Sequence, residues 1–310
     1  MKIHQIDLAS KVEKNFFYLA IGNFDGVHLG HQKIIKQLIS ESHIENKPAA
    51  ILSFEPHPRQ YFSHDLDRYQ IIGEGKKNKI LASLGIDDLF YLKFDISIAE
   101  LSAADFIKKI ILQKLQVRKL FVGYDFKFGK KREGDTLLLK DYASIHGFDL
   151  SVIDPIKDSF NSEAYSSSSI REAIKNGNIE KANRLLGHQW SMDGEVVHGD
   201  KKARQMNFPT ANLLPHAQIY PLKGVYVINA VINKNKYKGI ANFGERPTVS
   251  GKKLLLEVHL FNFNKDIYGN HLTVQFLTFI RGEKKFDSFA LLVNQIKKDI
   301  LIAKDYHLNN

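Results

Sequence analysis

The chain has 310 residues, a formal charge of +10 and no cysteine, which excludes disulfides, thiolate catalysis and zinc–thiolate sites together. Its 44% hydrophobic content argues against a disordered chain. The opening MKIHQIDLASKVEKNFF is interrupted by Asp7, Lys11, Glu13 and Lys14, so it lacks the apolar core of a signal peptide, and no run approaches the ~18 apolar residues of a membrane span. The chain therefore reads as soluble and cytoplasmic, with no membrane partner.

In chain order, Phe17–Ile21 reads as a buried strand. His31–Ser42 reads as a helix with Ile34, Ile35, Leu38 and Ile39 on one face. Ala49–Phe54 is a second strand, Lys76–Leu84 a helix closed by Gly85, and Leu89–Leu92 a short strand. Ser102 caps a helix running to about Gln113, and strands follow at Lys119–Val122 and Leu150–Ile153. Strands separated by helices predict an α/β domain with a parallel sheet. Two short helices, Ser169–Asn176 and Ile179–Leu186, break at Gly177.

After Gly187 the pattern changes. Strand-like runs follow one another directly at Gly194–Val197, Gly224–Ile232, Tyr237–Phe243, Leu254–Phe263 and Leu272–Ile280. That predicts a small antiparallel β-barrel, followed by an amphipathic helix over about Ser288–Lys304. The expected division is 1–186 and 187–310. The positive charge suits nucleic acid or small anionic substrates. The lysines are scattered in short clusters such as Gly75-Lys76-Lys77 and Lys130-Lys131-Arg132, which favours an ordinary lysine-rich surface and no nucleic-acid partner.

The densest chemistry lies in GNFDGVHLGH at 22–31. Gly22, Asn23, Phe24, Asp25 and Gly26 let the chain turn as it leaves the strand, and Gly30 allows close approach of a ligand. The following helix points its positive end at this turn, which suits an anion. His28 and His31 are open to four readings here: metal ligands, a base, structural histidines, or hydrogen-bond donors to the anion. A zinc site needs further ligands beside a His-x-x-His pair.

The turn resembles the His-x-Gly-His hallmark of the nucleotidylyltransferase superfamily, and the longer string its flavin branch. FEPHP at 54–58, GYDFKFG at 123–129 followed by Arg132 and Gly134-Asp135, SSSSIR at 166–171 and LLGHQW at 185–190 extend the resemblance in order. It implies a Rossmann-like FMN adenylyltransferase domain using ATP as co-substrate. On this resemblance His28, His31 and Asn23 meet the ATP phosphates on a turn built with Gly22, Phe24, Asp25 and Gly30. Ser167, Ser168 (a threonine in the family pattern) and Arg171 meet the triphosphate, since an arginine fork suits phosphate. Asp125 fits the adenosine or flavin side of the site, or a turn-stabilising carboxylate. Pro56-His57-Pro58 fits a wall near the flavin or a structural turn.

The second half carries HGDKKARQMNFPTANL at 198–213, GVYV at 224–227, NFGERPTV at 242–249, LEVHLFNFNKDIYG at 256–269 and FIRGEKKF at 279–286. These resemble the riboflavin kinase module, so the whole chain resembles the prokaryotic bifunctional riboflavin kinase/FAD synthetase family. The resemblance implies riboflavin, FMN, FAD and ATP as ligands and Mg²⁺ as the metal. It puts the general base on Glu257, the metal on Thr210 and Asn212, phosphate contacts on Lys201, Arg204 and Asn207, and a flavin or phosphate contact on Arg281. The family loop Gly-Arg-x-x-Gly reads Ala203-Arg204-Gln205-Met206-Asn207 here, so the kinase activity is expected to persist, with Ala203 the residue that would weaken it. An adenylyltransferase with a kinase-like remnant is the alternative; oligomeric state stays open.

Overall fold

The structure is a computed structural model that describes residues 1–13, 15–63, 68–155, 164–197, 209–214, 218–248 and 251–310. The described residues group into two compact units, Met1–Asp67 with Glu74–Ser166, and Arg68–Gly73 with Ser167–Asn310.

The first unit is built on six parallel strands: β1 (Lys2–Ile6), β2 (Tyr18–Ile21), β3 (Ala49–Glu55), β4 (Asp88–Lys93), β5 (Lys119–Gly123) and β6 (Asp149–Ile153). Its helices are α1 (Leu29–Ile44), α2 (Pro58–Phe62), α3 (Glu74–Leu84), α4 (Ile96–Ala99), α5 (Ala103–Phe106) and α6 (Thr136–His146). A π-helical stretch, Ile107–Lys114, continues α5 and buries Ile107, Ile110 and Ile111. The sheet order is β1-β4-β3-β2-β5-β6. Buried apolar runs such as YLAI in β2 and AAILS in β3 need cover on both faces, which is why these strands lie inside the sheet.

The chain leaves β2 toward β3 on one side, while β5 pairs β2 on the other. The carboxyl ends of β2 and β5 thus flank a topological switch point, where open α/β sheets bind ligands. The edge strand β1 was not expected from the sequence. Four of its five residues keep solvent exposure, so KIHQI carries no buried run to betray it.

The second unit contains α7 (Ser167–Lys175), α8 (Ile179–Leu186), β7 (Ser191–Val197), β8 (Ala211–Leu213), β9 (Gly224–Ile232), β10 (Asn235–Thr248), β11 (Gly251–Leu260), β12 (His271–Gly282) and α9 (Phe289–Asn309). The strands close into an antiparallel barrel ordered β10-β11-β8-β7-β12-β9. Ser288 caps α9 by accepting the Leu291 amide hydrogen, and Ile300 and Ala303 pack on Val225, Val227, Ile240 and Leu277 of the barrel.

The packing units do not divide at 186/187, because α7 and α8 go with the barrel. Asn183 of α8 donates to the Phe276 carbonyl of β12 at 2.9 Å and accepts from the Trp190 amide at 2.7 Å. Trp190, fully buried against Phe276, donates its indole hydrogen to the Ile71 carbonyl, which ties residues 68–73 to the same unit.

Candidate functional site

The first constellation begins where β2 ends. Three residues in the next turn have left-handed backbone: Phe24 (φ 49°), Gly26 (φ 83°) and Val27 (φ 42°). For a β-branched valine this conformation is unfavourable and persists only when the surroundings enforce it. Here Phe24 and Val27 are both buried, so the apolar side chains hold the bend that the sequence had assigned to its glycines.

The turn delivers the chain to α1, and His28 is its N-cap. The His31 amide donates to His28 Nδ1 at 3.3 Å. An Nδ1 that accepts cannot carry the proton in a neutral ring, so the cap selects the tautomer with the proton on Nε2. The two imidazoles stack at 3.6 Å between centroids, and Phe24 lies 5.1 Å from the His31 ring. Gly30 has ordinary backbone, yet a Cβ there would stand 3.0 Å from two atoms of the His28 ring. Gly30 is therefore needed first to admit the His28 side chain.

Beneath the turn sits a residue the sequence reading placed on the surface. Lys77, on α3, is buried and donates to Ser53 Oγ at 3.1 Å and toward the Asn23 carbonyl at 3.4 Å. Its ammonium stands 4.7 Å from the centre of the Tyr91 ring. Burial holds its pKa below the ordinary lysine range, while Asp25, Glu55 and Glu74 pull the other way. Asp25 is itself buried, and Asn23 Oδ1 is buried and accepts no hydrogen bond. The signal missed was the position of Lys77 on the face of its helix that also buries Leu81.

Other expected residues lie elsewhere. Asp125 is exposed on the turn after β5, at the neighbouring strand end of the switch point. His57 caps α2, with Nδ1 accepting from the Arg59 amide and Pro58 in the first helical turn. In the second unit, Ser167 and Ser168 open α7. Arg171 is buried one turn later, stacked 3.7 Å from the Tyr69 ring centre and donating to the Tyr69 carbonyl at 3.0 Å.

The second constellation lies on the barrel. Glu257 on β11 is directly opposite Asn212 on β8 and Asn242 on β10. Directly opposed residues of antiparallel strands project on one face, so the three side chains form a row. Asn242 was not singled out from the sequence; it stood inside NFGERPTV, and only strand register reveals its neighbour. Asn212 is buried and its Oδ1 accepts no hydrogen bond. An uncommitted oxygen in this place fits a hard cation such as Mg²⁺. Thr210 immediately precedes β8, and His259, two residues after Glu257, is within 2.9 Å of the Pro209 carbonyl.

Arg281, on β12, is engaged within the second unit. Its Nε and Nη2 hold the buried Asp299 carboxylate at 2.7–3.1 Å, and Nη1 donates to the Gly282 carbonyl. That fork clamps α9 to β12. Lys201, Arg204 and Asn207, with Ala203, lie outside the described residues.

Among the described residues, no helix is long and apolar enough to cross a membrane. The model of the FAD synthetase family matches residues 10–169, and that of the riboflavin kinase family matches residues 186–307. A bifunctional riboflavin kinase/FMN adenylyltransferase from Haemophilus influenzae is 40% identical over 289 residues, covering 93% of each chain. The protein of that name from Escherichia coli K12 is 38% identical, covering 93% of this chain and 92% of its own. A solved structure from Streptococcus pneumoniae, called a macrolide-efflux protein, superposes with a TM-score of 0.87 at 29% identity, covering 97% of this chain and 98% of its own. Two family models in order and near full-length relatives agree with the two constellations: the chain belongs to the bifunctional riboflavin kinase/FMN adenylyltransferase family.

Proposed function

We propose that the chain makes FMN from riboflavin and ATP with its barrel, and FAD from FMN and a second ATP at the histidine turn. The observation that carries this reading is the placement of two unlike constellations, one per compact unit, each suited to one of the two reactions.

In the first reaction a ribityl hydroxyl must lose its proton as it takes the γ-phosphoryl group of ATP, with ADP leaving. Glu257 is the general base. Asn212 and Asn242 flank it on the same face and hold the hydroxyl and phosphate against it. Thr210 and Asn212 are the residues that would hold Mg²⁺, with Asn212 Oδ1 as the uncommitted ligand. Bound there, Mg²⁺ would offset the charge of the ATP phosphates.

In the second reaction the FMN phosphate attacks the α-phosphorus of ATP and pyrophosphate leaves. A phosphate nucleophile is already ionised, so no base is needed. The enzyme must align two polyanions and stabilise the charge on the transferring group. His28 Nε2–H is a donor by virtue of its cap, and His31 stacks beside it at the positive end of α1. Asn23 adds a side-chain amide from the same turn. Ser167, Ser168 and Arg171 are assigned to the triphosphate, Asp125 to the adenosine or flavin side, and Lys201, Arg204 and Asn207 to the kinase phosphates.

As a functional division, 1–186 serves adenylylation and 187–310 phosphorylation. Use of ATP and a chain free of cysteine support a cytoplasmic location and small-molecule partners. Chromatography of products after incubation with riboflavin, ATP and Mg²⁺ tests the reading. Both FMN and FAD should form; FAD from supplied FMN, with no FMN from riboflavin, would leave only the adenylyltransferase.

A further inference from the structure

The histidine turn does not rest on an apolar floor. Below it lies a charged cluster drawn from four elements, buried at Lys77, Asp25, Ser53 and Tyr91 and reaching the surface at Glu74. Lys77 comes from α3, Asp25 from the turn itself, Ser53 and Glu55 from β3, and Tyr91 from β4; Glu74 opens α3. The Asn23 carbonyl is the focus of the uncharged contacts. It receives Ser53 Oγ at 3.3 Å and Lys77 Nζ at 3.4 Å. The next residue, Phe24, is the first of the left-handed residues that swing the chain toward His28.

A buried lysine is costly, and nothing about core packing requires one. An apolar side chain of similar length would fill the space beneath Tyr91 equally well. What it would not do is donate to the Asn23 carbonyl or offset the buried Asp25. The Asn23 side-chain oxygen is buried and accepts no hydrogen bond, so the contacts to its backbone carbonyl are what hold this residue from below.

We propose that Lys77 is a positioning residue for adenylyl transfer: its ammonium clamps the Asn23 carbonyl and offsets Asp25, so that the strained turn holds Asn23 and the two histidines in their working geometry. This rests on the reading of the turn as the adenylylation site.

The charge state makes the role separable from mere folding. Burial lowers the folded-state pKa of Lys77, while Asp25, Glu55 and Glu74 raise it; Tyr91, whose own pKa is pushed up by burial, stays neutral. Between the lowered folded value and the ordinary lysine value, the unfolded chain binds more protons than the folded one. Stability attributable to Lys77 therefore rises with pH across that window. Function should go the opposite way, because the neutral amine no longer offsets Asp25.

The test compares wild type with K77M, K77Q and K77R, following FMN-to-FAD and riboflavin-to-FMN turnover in the same chain, with thermal unfolding alongside. K77M should lose on the order of 100-fold in kcat for FAD formation with KM for ATP little changed, as expected of a displaced site. Riboflavin phosphorylation should stay at the wild-type rate. K77Q, which keeps a donor but no charge, should fall between K77M and wild type. Wild-type FAD formation should decline at alkaline pH while the melting temperature does not, and K77R should move that limb upward.

Wild-type kcat in K77M, with His28→Ala inactive, would overturn the role of Lys77 and leave the site reading standing. Full FAD formation by His28→Ala would overturn both. Should K77M fail to fold, the wild-type pH profile decides: an alkaline limb that tracks unfolding overturns the proposal.

Discussion

His28 and His31 are joined through the backbone as well as through their rings: the amide of His31 donates to Nδ1 of His28 at 3.3 Å, and the imidazoles stack at 3.6 Å. One bond thus caps a helix, chooses a tautomer and aims a donor. Capping and hydrogen-bond donation separate by mutation. His28→Ala should lose the cap, about 1 kcal/mol, and the donor, on the order of 100-fold in FAD formation. His28→Asn should recover the melting temperature, because asparagine is a good N-cap, without recovering the rate. Equal recovery of both would mean that His28 serves only the helix.

Gly30→Ala places a methyl 3.0 Å from Cε1 and Nδ1 of His28 and 3.2 Å from Tyr165 Cβ. The ring has to shift by a few tenths of an ångström. FAD formation should fall roughly tenfold or more, while phosphorylation of riboflavin continues unchanged in steady-state assays.

Much of this was legible from sequence, for identifiable reasons. The inner strands of the sheet announced themselves because burial on both faces leaves continuous apolar runs, as in Tyr18–Ile21 and Ala49–Ser53. The edge strand β1, solvent-exposed over most of its length, left no such trace. The histidine turn was readable because its residue types are rare in that order. Lys77 was not, since a lysine in a charged segment looks like surface until its helix is docked. The Arg281–Asp299 pair was hidden for a similar reason: only the fold brings Asp299, eighteen residues later, against Arg281. Asn242 faces Glu257 through strand register, which composition does not reveal.

The Arg281–Asp299 pair carries a stability prediction. Asp299 is almost wholly buried, so Arg281→Met leaves an uncompensated charge and should destabilise the barrel by about 3–5 kcal/mol. The double variant Arg281→Met with Asp299→Leu should recover most of that loss. Urea unfolding of the two single variants and the double variant measures the coupling. Additive losses would show that the pair does not act as a unit.

Asn212 pairs a gain with a loss. Its Oδ1 is buried and accepts no hydrogen bond, an arrangement that costs stability when no ligand is present. Asn212→Leu should raise the stability of the metal-free chain by about 1 kcal/mol and raise the Mg²⁺ concentration needed for phosphorylation. An unchanged Mg²⁺ titration would remove Asn212 from the metal site.

Two separate sites acting in sequence should complement each other in trans. Given riboflavin, ATP and Mg²⁺, His28→Ala should accumulate FMN and form no FAD. Glu257→Gln should leave riboflavin largely unconverted, with phosphorylation down at least 100-fold, yet convert supplied FMN to FAD at the wild-type rate. Mixed together, the two variants should make FAD from riboflavin, with FMN passing between molecules through solution. A mixture that makes no FAD, from variants that are both folded, would contradict two independent sites.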